Sequence, residues 1–477
     1  MYLGVILGFV TRAHLFPKYL SEAEIGVIVL LISYASIFAQ IAILGFNHAT
    51  IRYFPYFRDK SKGHHGFISL YTLVVLVGFL IAMVAFYLVQ AKYISTSDAI
   101  ILDQYYYLVI PLTAGVLIFN VMDNYNNVLY NATTGILLRE FGLRLLILLF
   151  FILLIKQWVD FEGFARLYSL TYLMIALGLI GFVIWRGDCY LRFDFNKIDR
   201  TLLKSMAGIS FFGFLTGLST TVIQHVNNIM IDAFYDEALT GIYATNFLFA
   251  TLILLPSRGL NRIAPTMISD AFKEKNFKTI NSIQFKSTIN QQLISTLLWI
   301  GLLINLNNIY EILPESFAIG KWVIVLVGLG NVIQMTGGVS SAIIGFSSIY
   351  RYNTYVSVLQ LVLLVILNWV FLPIWGISGA ASATLITILV LNLLKFRILL
   401  SNFNIQPYGK KHLLVVFVGL TCLAIGYLIP RMTGLITDIL VRSCLVTVGF
   451  VGISYFLKIS RQLNDAINNT LGRLRIQ

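Results

Sequence analysis

Three groups of residues in this sequence have the types and spacings to do chemistry. Asn120, Asp123, Asn124, Asn127 and Asn131 recur at intervals of three and four, which on a helix confines them to an arc of about 100°. Gln224, Asn227, Asn228 and Asp232 form a similar stripe, and Gln40, Asn331 and Gln334 are isolated polar points in apolar runs. Amides donate and accept, so these stripes suit the hydroxyls of a sugar; they equally suit hydrogen bonds between helices. Asp123 is the best-placed carboxylate for a coupling proton or sodium ion. Arg52, Arg258 and Arg262 stand beside Pro55, Pro256 and Pro265. Guanidinium forks match phosphate oxygens two at a time, the alternative being ordinary contact with anionic lipid. Arg12 lies with His14 and Lys18 in an apolar stretch. A charge at the bilayer centre costs roughly 3 kcal/mol, so such an arginine faces a cavity or a partner, or snorkels to the outer headgroups. Arg144 follows Glu140 by four residues, a spacing that permits a local ion pair.

The elements that must position these residues are membrane spans. Of 477 residues 58% are hydrophobic and 12% charged, with a mean hydropathy of +0.83. A water-facing surface needs roughly twice that share of charge, so the chain is an all-α integral membrane protein. Apolar runs occur near 2–16, 25–46, 67–89, 105–128, 136–155, 164–185 and 205–231, then near 239–256, 284–306, 320–345, 353–373, 376–394, 412–430 and 436–457. They predict fourteen transmembrane helices. The polar stretches between them are too short to bury a core, which excludes a soluble catalytic domain. The first run is shorter than the roughly 20 residues of a full span and lacks the features of a signal peptide. It is either a short helix or the remainder of one that begins upstream of Met1.

The net charge of +13 would suggest nucleic acid in a soluble protein; here its distribution points to topology instead. Assigning the 34 Lys and Arg residues to alternate loops puts 26 on one side and 8 on the other. The positive-inside rule makes the richer side cytoplasmic, with both termini on it. Tyr105, Tyr106, Tyr107, Trp158, Trp322 and Trp375 fall at predicted outer ends and Trp185 at an inner one, as interfacial anchors. Cys189, Cys422 and Cys444 show no disulfide or metal-ligand spacing.

The chain also repeats itself. EAEIG at 22–26 aligns with EALTG at 237–241, Arg52 and Pro55 with Arg262 and Pro265, Asn120 and Asp123 with Asn331 and Gln334, and DFEG at 160–163 with PIWG at 373–376. The unit is six spans, 1–200 and 201–400, with two extra helices and a tail in 401–477. An even number of spans makes the copies parallel: two six-helix bundles related by a pseudo-twofold axis along the membrane normal. Paired bundles of this kind enclose a midplane cavity and work by rocking, which predicts a transporter.

LGFVTRAHLFPKYLSEAEIGVIVLL near the start, LGFNHATIRYFPYFRD after it and WGISGAASATLI in the twelfth span resemble the polysaccharide and oligosaccharide-lipid flippases of the multidrug, oligosaccharidyl-lipid and polysaccharide exporter superfamily. The resemblance covers essentially the whole chain, including the six-plus-six-plus-two layout. It implies a bacterial inner-membrane carrier that turns an undecaprenyl-diphosphate-linked sugar unit, such as an O-antigen repeat of lipopolysaccharide, from the inner to the outer leaflet. Its partners would be the lipid-linked glycan, membrane lipid and a polysaccharide polymerase and glycosyltransferases. No cofactor is implied beyond a coupling proton or sodium ion, and no nucleic acid. First-helix arginines line the central cavity in that family, and Arg12 occupies the matching stretch. The expected cavity residues are therefore Arg12, Asn120, Asp123, Asn124, Asn127, Gln224, Asn227, Asn228 and Gln334, with Arg52, Arg258 and Arg262 as phosphate-binding groups at the inner gate.

Two other classes compete. A membrane glycosyltransferase or polymerase needs a carboxylate or metal site, and the close acidic pairs, Glu22 with Glu24 and Asp160 with Glu162, lie in short outer loops without a histidine. A cation-coupled multidrug exporter of the same fold would want acidic cavity residues, whereas the candidates are one arginine, one aspartate and many amides. A scaffold or channel would leave the polar stripes without a purpose.

Overall fold

Backbone surrounded by lipid must satisfy its hydrogen bonds internally, and a helix does so within one segment. The structure, a computed structural model, describes residues 2–93, 100–191 and 199–475, and no strand occurs among them. The chain begins with α1 (Tyr2–Val10), a π-turn (Thr11–Leu15) and α2 (Phe16–Tyr19). Then come α3 (Glu22–Ile43), α4 (Phe46–Phe57), α5 (Phe67–Tyr93), α6 (Ile100–Tyr105) and α7 (Val109–Val128). A second π-turn (Leu138–Gly142) joins α8 (Ala132–Leu137) to α9 (Leu143–Ile155), and α10 (Phe161–Trp185) and α11 (Arg200–Phe234) follow. The remainder is α12 (Glu237–Thr251), α13 (Ser257–Lys273), α14 (Phe277–Ile304), α15 (Leu306–Ile312), α16 (Lys321–Thr336), α17 (Ser340–Phe346), α18 (Tyr352–Trp375) and α19 (Ile377–Phe403). The extra helices are α20 (Lys410–Leu428) and α21 (Leu435–Phe456), and the tail is α22 (Arg461–Arg475).

Among the described residues, twelve helices are long and apolar enough to cross a membrane. The other two expected spans, near 2–16 and 136–155, are the columns α1–α2 and α8–α9, each interrupted by a π-turn. Local signals set the boundaries. Ser21 and Glu24 form a capping box on α3, and Asp236 accepts from the Leu239 N–H (2.7 Å) to start α12. Leu44 and Gly45 are both left-handed (φ 51° and 69°), which ends α3 and swings the chain into α4. Only glycine fits at 45, because a Cβ would overlap the Ser210 carbonyl of α11.

The chain forms two compact units, Met1–Ala244 and Thr245–Gln477. In the first, α7 packs on α10, and α3 on α5, α7 and α11. The small residues of GVILG let α1 lie close on the second π-turn: a Cβ at Gly4 would overlap the Glu140 carbonyl, and one at Gly8 would stand 2.6 Å from Arg144 Cδ. The two EAxxG segments meet reciprocally. A Cβ at Gly26 would strike the Glu237 carbonyl, and one at Gly241 the Glu22 carbonyl. In the second unit α19 packs on α16 and α18, and α14 on α13, α16 and α20. Gln284 of α14 clamps the α16–α17 break, donating to the Gly337 carbonyl (3.0 Å) and accepting from the Val339 N–H (3.1 Å). The extra helices are tied on by a buried network: Arg442 pairs with Asp438 (2.7 Å), to which Asn308 also donates (2.7 Å).

Two sequence readings need correction. Asn131 is not on the α7 stripe, since α7 ends at Val128, Tyr130 turns left-handed (φ 63°), and Asn131 precedes α8. Tyr106 is not an interfacial anchor: it is 1% exposed and stacked on Phe86 (centroids 4.7 Å apart). Trp158, Trp185, Trp322 and Trp375 are exposed, as anchors would be. The repeat boundaries at 200 and 400 concern symmetry, whereas the compact units divide at residue 244.

Candidate functional site

In the first unit, six helical elements leave a cavity of about 420 Å³. Its polar lining comes from Ser36 and Gln40 of α3, Asn120 of α7, Arg139 of the second π-turn, Tyr172 of α10, and Thr221, Gln224 and His225 of α11. Gln40 crosses α11 at Gly217, where any side chain would meet its amide. Arg139 is the charged residue of this wall. Its Nη2 donates to Asn120 Oδ1 (2.8 Å) and lies 3.5 Å from Asp123 Oδ2, while its guanidinium covers the Phe119 ring (4.8 Å to the centroid). Asp123 fits behind it because residue 135 is glycine; a Cβ there would overlap Asp123 Oδ1, a buried oxygen without a hydrogen-bond partner.

Arg12 reaches the same wall through two tyrosines. Its Nη2 donates to the Tyr168 hydroxyl (3.2 Å), which lies 3.5 Å from the hydroxyl of Tyr172, a lining residue. Arg12 and Arg139 therefore both sit on π-turns of the same unit. The wider i→i+5 turn displaces one side chain from the helical phase, and such turns concentrate at functional sites.

The other expected residues divide. Asn120 and Gln224 line the cavity together, whereas Asn124 is half-buried with its Oδ1 unpartnered, and Asn127 is exposed. Asn227 is 7% exposed and donates to the Tyr243 hydroxyl (2.6 Å); Asn228 and His225 both contact Ser33 Oγ, at 3.4 and 3.0 Å. Arg144 pairs with Glu140 (2.9 Å). In the second unit Gln334 lines a separate cavity of about 340 Å³, while Asn331 is buried and donates to the Ala250 carbonyl (2.9 Å). Arg52 is exposed on α4, in the first unit; Arg258 and Arg262 are exposed on one face of α13, in the second. Arg52 and Arg262 each precede a within-helix proline by three residues, Pro55 and Pro265.

Sequence reasoning missed Arg139, Tyr172, His225 and Lys395, the last a lining residue of the second unit's cavity. Arg139 and Lys395 had been counted among loop charges. A signal for Arg139 existed: Glu140 accounts for Arg144 at i,i+4, leaving a second arginine over at the start of an apolar run.

Between α4 and α5, Gly63, His64, His65 and Gly66 are all left-handed (φ 50–69°), at roughly 1–2 kcal/mol for each non-glycine residue. Asp59 caps this turn, its carboxyl held below the ordinary range chiefly by the Ser61 hydroxyl. Asp188, buried beside it, pairs with Lys60 (3.0 Å) and Arg186 (3.2 Å). Among the described residues no group of histidine, cysteine and carboxylate side chains is arranged to hold a metal, and the three cysteines are free. Arg192, Lys197 and Ser97 lie outside the described residues.

No known family matches the sequence, and no curated protein does. Solved structures match the fold. The lipid II flippase MurJ, in an inward closed conformation, superposes with a TM-score of 0.74 at 16% identity, over 96% of this chain and 98% of that one. An inward-facing multidrug resistance MATE family transporter of the MOP superfamily gives 0.68 at 14% identity, over 84% and 95%. A MOP superfamily transporter from Pyrococcus furiosus, described as having a binding pocket of reverse polarity, gives 0.54 at 13% identity, over 84% and 92%. These likenesses establish the fold and, with the twelve long apolar helices, a multi-pass membrane protein.

Proposed function

We propose that the protein is a flippase that carries an undecaprenyl-diphosphate-linked oligosaccharide from the inner to the outer leaflet for surface polysaccharide synthesis, such as O-antigen of lipopolysaccharide. The observation that carries this reading is the charge of the first unit's cavity. Arg139 lines it with Asp123 as its counter-charge, and Arg12 reaches it through Tyr168 and Tyr172. A diphosphate leaving water loses hydration, and a fixed cation in a low-dielectric cavity offsets part of that loss far better than one in water. Asn120, Gln40 and Gln224 offer the sugar hydroxyls donors and acceptors.

In this reading two six-helix bundles, 1–200 and 201–400, alternate access to the substrate, with 401–477 as the added helices. Arg52 on α4 and Arg258 and Arg262 on α13 would each give the diphosphate a guanidinium fork at the cytoplasmic end of its own unit. Both termini would be cytoplasmic, the membrane would be the bacterial inner one, and the glycan would pass between glycosyltransferases and a polymerase. Asp123 would bind the coupling proton or sodium ion. The deciding experiment is Arg12→Ala in the native host: surface glycan should be lost while the protein still accumulates in the membrane. The likeness to multidrug transporters supports a second reading, export of organic cations held by Asp123. There Asp123→Asn would raise sensitivity to cationic drugs and leave surface glycan normal.

A further inference from the structure

The second unit's cavity surrounds a cation without a counter-charge. Lys395, on α19, lines it and donates from Nζ to Ser341 Oγ (3.0 Å), which leaves two of its three N–H bonds for a ligand. No aspartate or glutamate belongs to the lining, and among the described residues Lys395 has no ion pair. A second donor waits beside it. Gln291 of α14 lines the same cavity and is 6% exposed, yet its Nε2 has no hydrogen-bond partner. Buried donors are almost always satisfied, so an ammonium and an unsatisfied buried amide N–H among the residues of one cavity together call for an acceptor. Gln334 and Gln360 add uncharged groups that both donate and accept. Asn392 is already committed to the Ile333 carbonyl (3.0 Å) and serves as wall.

We infer that this cavity holds one acidic sugar of the transported glycan, a pyranose carrying a single carboxylate; the inference rests on reading the protein as a glycan flippase. One positive charge among neutral amides matches one negative charge among hydroxyls. A diphosphate carries more charge and suits the arginines of the first unit, whose forks fit phosphate oxygens. At about 340 Å³ the cavity has the size of a small-molecule site. Carboxylate oxygens accept from Lys395 and Gln291, and ring hydroxyls exchange hydrogen bonds with Gln334 and Gln360.

The test is saturation-transfer NMR on the full-length protein in phosphatidylcholine nanodiscs, with glucuronate, glucose and inorganic phosphate as probes. Glucuronate should bind more tightly than glucose. Lys395→Gln should weaken glucuronate by about tenfold or more, the loss of a charge-assisted hydrogen bond, and leave glucose unchanged. Lys395→Arg should retain binding, and Gln291→Leu should weaken it. Equal binding of glucose and glucuronate would overturn the inference, as would wild-type binding by a correctly folded Lys395→Gln protein. Displacement of glucuronate by phosphate at equal concentration would also overturn it, marking a site for any oxyanion. The functional reading has its own test in Arg12→Ala. Glycan loss there without glucuronate binding here removes only the inference, and the converse removes only the reading.

Discussion

Both arginines at the first unit's cavity are exposed, and their partners differ. Arg139 has the Asn120 carbonyl and the Asp123 carboxylate, whereas Arg12 has a tyrosine hydroxyl. Arg12 therefore keeps more of its charge available to a ligand. Arg12→Ala should reduce pyrophosphate binding by roughly 10- to 100-fold and Arg12→Lys by less, since a point charge replaces only part of the fork. Asp123→Asn should shift affinity the other way, because it releases Arg139; calorimetric titration of the purified protein decides both signs. Single changes at Arg52 or Arg262, exposed and screened by salt, should lower glycan flux only modestly in cells. What the sequence made legible at this scale was phase. The periodicity of α7 and α11 groups Asn120 and Gln224 with the polar stripes, and both line the first unit's cavity. Partner choice was not legible, because Asn227 turns to Tyr243, sixteen residues away, only once α12 has folded back on α11.

Helices as whole elements were readable because hydropathy needs only composition and length; their interruptions were not. The π-turns at Thr11–Leu15 and Leu138–Gly142 keep the chain helical, so the hydropathy pattern runs through them unbroken. They carry a testable consequence. Deleting Phe141 would remove the surplus residue, so the second π-turn would close to α-geometry with α8 and α9 near their present phase, while the side chains within the turn, Arg139 among them, would shift around the axis. The variant should still insert but lose transport, and restoring a residue at that place should recover it. The seating of α1 is as specific: Gly4→Leu should stop surface glycan synthesis, because its side chain would fall on the Glu140 carbonyl. A different element tests stability without touching the cavity. Asp438→Asn removes the charge that Arg442 and Asn308 share at the base of α21, so the variant's melting temperature should fall by several degrees while substrate affinity stays unchanged.

For the molecule as a whole, the division of basic residues survives the finding that Arg139 and Lys395 line cavities rather than loops. A thiol at Ser61 should resist a membrane-impermeant reagent added outside intact cells, and one at Ser97 should react; the opposite pattern at both would reverse the topology. The repeat is symmetric in some respects and lopsided in others. The EAxxG segments touch reciprocally and the RxxP helices α4 and α13 correspond, yet both π-turns lie in the first copy, and among the described residues α11, α17 and α18 have none. A π-turn is an α-turn with one surplus residue, the imprint of a single inserted codon. If the halves descend from one duplicated gene, the packing glycines date from before the duplication. Arg12 and Arg139 then owe their positions to two later insertions in one copy, so the lineage acquired its cationic chamber after it had acquired its architecture.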